Sequence, residues 1–221
     1  MDNIESQCAE AAARLEGCLG AAPEGFEEAC RHDPSPETLE IVDELVGSEC
    51  TEDMSERADL GESAFIFVCK PALGAAFLVT RARNDEGEPI ALEDADTLRP
   101  YFGDVVDTAV VYWNALIIDE WTIFGKHIQF SFDVLAQTFA QHIFYDDTYQ
   151  PGNHRQLAVV GHELTHTEQA ARFGGLSGFA REYCRAFYQS GFSYENNALE
   201  IEAEEREQEV RNCLLNQVGC R

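Results

Sequence analysis

Basic residues are scarce in this chain. Fifteen lysines and arginines stand against 41 aspartates and glutamates, a formal charge of -26 at pH 7. A phosphate backbone or an anionic membrane surface would be repelled, so nucleic-acid binding is set aside. The acid is spread along the whole chain instead of gathered in one patch, which reads as a solubilising surface. No run of apolar residues approaches the roughly 18 that would span a bilayer. No C-x-x-C pair occurs among the eight cysteines, which removes a thioredoxin-like site and a zinc ribbon. Met1-Asp2-Asn3-Ile4-Glu5-Ser6 does not read as a secretory leader, being neither basic nor apolar.

What is present is enough for a proper core, with 45% hydrophobic residues in 221. The even cysteine count at wide spacing (Cys8, Cys18, Cys30, Cys50, Cys69, Cys184, Cys213, Cys220) points to disulfides and an oxidising compartment. The expected location is therefore extracytoplasmic or secreted, with a signal peptide already removed.

Residues 1–60 read as a cysteine-rich helical extension. Ser6 to Leu15 is a helix-forming run, and Ser35-Pro36 looks like an N-cap with proline in the first turn of a helix carrying Leu39, Val42, Leu45 and Val46. Residues 61–221 read as one α+β domain. The apolar runs Ala64–Cys69 and Ala75–Val79 are ambiguous between strand and buried helix. Residues 105–118, Ile128–Phe132 and Phe139–Tyr145 carry β-branched and aromatic residues, and a small, mostly antiparallel sheet is expected within 61–146. Asp146 to Asn153 is a turn, and three helices are expected over about 154–172, 176–190 and 197–215, broken at Gly174-Gly175 and Gly191.

The first of those helices carries Gly161-His162-Glu163-Leu164-Thr165-His166. Two histidines four apart project from one helix face, one turn apart, where both reach a single zinc ion; the intervening glutamate is then placed as general base toward a zinc-activated water. Catalytic zinc takes a third protein ligand. The extended H-E-x-x-H-x-x-G-x-x-H pattern fails, because Gln169 and Arg172 stand at the glycine and third-histidine positions. No histidine or aspartate follows His166, so a downstream ligand is a glutamate or, less favourably, a cysteine. Glu200 and Glu202 project to opposite sides of their helix, and only one can face the metal. Glu200 is the preferred third ligand and Glu202 the alternative. Glu204, one turn beyond Glu200, is a candidate to hold a ligating histidine by its other ring nitrogen. Tyr194 and Tyr183 are candidate donors to an oxyanion.

His162-Glu163-x-x-His166 followed by Glu200-x-x-Ala203-Glu204 resembles the gluzincin metallopeptidases. Gly161 to Gln169, with Ala136-Gln137-Thr138-Phe139 before it and Tyr194-x-x-Asn197-x-x-Glu200 after it, is similar to a bacterial family of HExxH metallopeptidases of unassigned function. The resemblance covers about residues 100–205. It implies a zincin-like fold, with a sheet edge strand above the active-site helix and further helices following. It also implies a Zn2+ cofactor and hydrolysis of a peptide or protein substrate, the extended peptide adding to an edge near Phe139–Tyr145. The gap from His166 to Glu200 is longer than in thermolysin-type members, and Glu204 replaces the usual aspartate. The alternative reading is a non-catalytic or latent zincin-like binding module of a secreted or toxin-delivery system.

Overall fold

The computed structural model describes residues 2–19, 22–33, 35–47, 61–84, 86–118, 120–123, 126–129 and 135–216. The amino-terminal part holds three helices, α1 (Asp2–Leu19), α2 (Phe26–His32) and α3 (Pro36–Val46). Ser35 caps α3 by accepting from the Thr38 amide at 3.2 Å, with Pro36 in the first turn, as the sequence indicated. Cys8 and Cys30 are bridged, tying α1 to α2.

The two apolar runs after residue 61 form neither strands nor separate segments. They are one helix, α4 (Glu62–Ala82), with Pro71 in its interior. Ala75 to Thr80 are all buried, so no solvent face exists to imprint a helical period on the sequence. By length and composition α4 could cross a membrane, yet more than half of its apolar window is buried in the protein, as befits a core helix. A second disulfide, Cys69–Cys184, joins α4 to α7 (Leu176–Gln189). Cys213 is also disulfide-bonded, and none of the described cysteines is free. The side chains of Cys18, Cys50 and Cys220 lie outside the described residues. Disulfides accord with an oxidising environment.

The sheet is smaller than the β-rich stretches suggested. Residues 92–102 form α5 (Leu92–Phe102) and 103–107 a 3-10 turn, leaving only Val110–Trp113 as strand β2. The stretch 139–145 is not one strand but the corner of a hairpin: β5 (Ala136–Phe139) turns at Ala140-Gln141 into β6 (His142–Tyr145). Ala140 takes φ 55°, a left-handed turn conformation with no glycine or asparagine to announce it. The strand order is β1 (Glu88–Pro89), β2, β6, β5; β2 and β6 run parallel and the other two pairings are antiparallel. A separate hairpin, β3 (Glu120–Ile123) with β4 (Lys126–Gln129), covers part of the expected 128–132 strand, whose remainder lies outside the described residues.

Side chains alternate across this sheet. Tyr112, Phe139 and Phe144 pack with Phe77 of α4 and with Leu15, Val42 and Leu45 of the amino-terminal helices. Val111, Ile143 and Tyr145 pack on the opposite face against α5, α6 (His154–Phe173) and Val210 of α8 (Ala198–Asn216). The result is a mixed α+β architecture, mostly helical, with a four-stranded sheet between two helical layers. The three carboxy-terminal helices stand where the sequence placed them. Asn153 caps α6 by accepting from the Arg155 and Gln156 amides, and Gly174 closes it at φ 87°.

Candidate metal centre

The helix α6 is buried on nearly every side, which its sequence encodes by apolar residues on two faces. Gly161 permits a close approach of α8: a β-carbon there would lie 3.2 Å from Val210 Cγ2. That contact sets Glu200 and Glu207, on α8, against the histidine face of α6.

His162, His166 and Glu200 converge, all three buried. The Nε2 atoms of the two histidines are 3.2 Å apart, and each lies 3.3 Å from Glu200 Oε2. Ligands about 2.0–2.1 Å from a tetrahedral zinc are about 3.3–3.4 Å from one another. The three donor atoms already form such a triangle. Glu200 Oε2 is buried with no hydrogen-bond partner of its own, as suits an oxygen meant for a cation. Two imidazoles and a carboxylate are a donor set for zinc, and the residues fit it.

The outer ring nitrogens are held as well. Gln169 Oε1 lies 2.8 Å from His166 Nδ1, and Glu207 Oε2 lies 3.4 Å from His162 Nδ1. Glu207 is in turn paired with Arg211. The Gln169 amide nitrogen donates to Leu199 O at 2.9 Å and Glu202 Oε2 at 3.1 Å, so its carbonyl must face the histidine. Both rings are thereby set to carry hydrogen on Nδ1 and to present a lone pair from Nε2.

Glu202 and Glu204 occupy other positions. Glu202 makes a two-pronged ion pair with Arg172 (2.9 and 2.8 Å) and points away from the triangle. Glu204 is exposed, and Glu207 is the carboxylate at His162 Nδ1. One turn beyond Glu200 still faces solvent; two turns brings the chain back over His162. Tyr183 donates to Glu200 Oε1 at 2.7 Å, holding the carboxylate whose other oxygen faces the histidines. Tyr194 is about one-third exposed (36%) and lines the same cleft. Gln169 and Glu207 were not singled out by sequence reading, although their spacing (three beyond His166, seven beyond Glu200) places them on the right faces.

Electrostatics are dominated by burial and by these contacts. Burial disfavours the charged form of His162, but the carboxylates of Glu200 and Glu207 outweigh it and push its pKa up to about 10. His166 is raised for the same reasons, burial opposing and Glu200 prevailing. Burial would raise the Glu200 carboxyl; the two imidazoles instead hold it far below the usual carboxylate range. Burial first, and then Glu200, drive the Tyr183 and Tyr194 phenols well above theirs.

The triangle opens onto a cleft of about 760 Å³. Glu163 lines it with both histidines, together with residues of β5, α4 and α7. Among the described residues, none that lines it comes from α1, α2 or α3. The edge strand at the cleft is β5, and β6 is interior. Gln141 O and Tyr145 O accept from β2 and its extension, so the intervening residues of β6 face β5. This turns the main-chain groups of Ala136 and Thr138 outward, toward the cleft.

A family model described as the eCIS core domain matches residues 126–174, from β4 through the end of α6, and so includes His162, Glu163 and His166. No curated protein matches the chain. No solved structure matches it either.

Proposed function

We propose that this protein is a zinc-dependent peptide hydrolase of gluzincin type with a zincin-like fold. The triangle of His162 Nε2, His166 Nε2 and Glu200 Oε2 at 3.2–3.3 Å carries the reading, with Glu163 at its rim. Zinc bound there would polarise a scissile carbonyl and lower the pKa of water toward about 7. Glu163 takes the proton of the attacking water and delivers it to the leaving amine. Ala136 and Thr138 offer outward main-chain groups to an extended peptide, which adds to β5 as a further strand. Tyr183 keeps Glu200 oriented, and Tyr194, the more exposed of the two phenols, is the candidate donor to an oxyanion.

A second reading rests on the eCIS core match, which names a contractile injection system. On this reading the chain is a secreted or injected module whose metal is structural. Zinc content and casein hydrolysis, compared between the wild-type protein and Glu163→Gln, separate the two. The hydrolase reading expects about one zinc per chain in both and activity in the wild type alone. A protein purified without zinc, or equal hydrolysis by both, rejects the assignment; zinc in both with hydrolysis by neither favours the structural module.

A further inference from the structure

Part of the cleft lining comes from two helices outside the family match, and it is mostly apolar. Leu73 and Ala76 of α4 face Leu176, Phe179 and Ala180 of α7, all lining the same space as the metal triangle. The spacing explains the alignment. Cys69, Leu73 and Ala76 lie along one face of α4, while Leu176, Ala180 and Cys184 lie along one face of α7. The disulfide Cys69–Cys184 therefore clamps the two rows at one end. Phe179 anchors the other side, its ring 5.8 Å from that of His166. Ala76 and Ala180 are almost wholly buried, whereas Leu73 and Leu176 keep partial exposure toward the cleft. Ala76 and Ala180 set small side chains between the larger Leu73, Leu176 and Phe179, leaving a walled apolar recess.

Resting on the hydrolase reading, we infer that this α4–α7 recess is a specificity pocket for a bulky aliphatic side chain beside the bond to be cut, with Ala76 and Ala180 setting its depth. A fixed apolar recess rejects a charged side chain by desolvation and holds a small one loosely. One methylene more or less in such a pocket discriminates by about 10- to 200-fold. The disulfide clamp keeps the two rows from closing on each other, so the recess is ready before substrate arrives.

Three blocked hexapeptides differing at one central position (Leu, Ala or Asp) test this by fluorescence anisotropy. They are titrated onto the full-length Glu163→Gln protein supplied with zinc, and hydrolysis of the same peptides is followed with the wild type. The Leu peptide is expected to bind at least about tenfold more tightly than the other two. Ala180→Leu, which fills the recess, abolishes that preference while zinc content stays at the wild-type value. Leu73→Asp transfers the preference to a Lys peptide, and covers the case in which Ala180→Leu fails to fold. Equal binding of the three peptides, no binding of the Leu peptide, or an unchanged preference in both variants overturns the pocket. Preferential binding without hydrolysis by the wild type leaves the pocket standing and removes the hydrolase reading instead.

Discussion

Gln169 holds its side-chain carbonyl 2.8 Å from His166 Nδ1 because its amide nitrogen is already committed to Leu199 O and Glu202. The glutamine thus couples the metal face of α6 to the start of α8. Gln169→Leu removes the acceptor and leaves the ring free to rotate or to change tautomer. Zinc affinity is expected to fall by about 10- to 100-fold, measured by competition with a chromophoric chelator. Gln169→Glu, which keeps an acceptor, is expected to restore most of it. An unchanged affinity in Gln169→Leu would remove the glutamine from any orienting role.

Glu200 and Glu202 are separated by a single residue and by opposite directions. Glu200→Ala is expected to abolish stoichiometric zinc binding, because only two of the three donors remain. Glu202→Ala, which opens the Arg172 ion pair on the surface, is expected to keep zinc and to cost about 1 kcal/mol or less in stability. Elemental analysis of the two purified variants decides between them; zinc lost from Glu202→Ala and kept in Glu200→Ala would reverse the assignment.

Protons and metal compete for His162. Its folded-state pKa, about 10 without metal, lies above the ordinary imidazole value of 6.5. In the metal-free protein this group's contribution to stability is full below about pH 6.5 and is lost as pH rises through about 10. Zinc requires the same nitrogen unprotonated, so its apparent affinity rises with pH across that window, by up to about tenfold per unit for each proton displaced. The thermal shift produced by zinc should therefore widen from pH 6.5 to pH 9. A shift independent of pH would show that His162 is neutral before metal arrives.

The Cys69–Cys184 bridge closes a loop of 115 residues in sequence separation. Replacing both cysteines by serine is expected to cost about 2–5 kcal/mol. The accompanying fall in thermal midpoint is readable by calorimetry. Because the pair clamps the α4–α7 wall, the variant should also lose peptide selectivity more than zinc. A variant as stable and as selective as the wild type would make the bridge ornamental.

Much of this architecture was written in local signals. The HExxH motif, the Asn153 to Gly174 limits of α6, the Ser35-Pro36 start of α3 and the glutamate near position 200 all depend on residues a few positions apart. What failed to show were features decided by burial. Residues 75–80 of α4 are all buried and carry no helical period, so the apolar runs there could be read equally as strand or as buried helix. The β5–β6 hairpin turns on Ala140, whose left-handed backbone has no chemical signature. Glu204 was singled out for its place one turn beyond Glu200 and Glu207 was not, whereas the crossing of α8 over α6, with Gly161 against Val210, brings the second turn to His162.

The metal triangle draws on residues 162 to 200, within two neighbouring helices, whereas the recess also requires Leu73, some ninety positions earlier. The two halves of the site are therefore expected to form at different moments of folding. A carboxy-terminal helical unit can gather its cation through short-range encounters. Selectivity arrives only when the distant α4 docks and the long loop is closed, the slower event for a chain whose contacts are far apart in sequence. On the proposed reading, a partly folded molecule would hold metal before it could select among side chains.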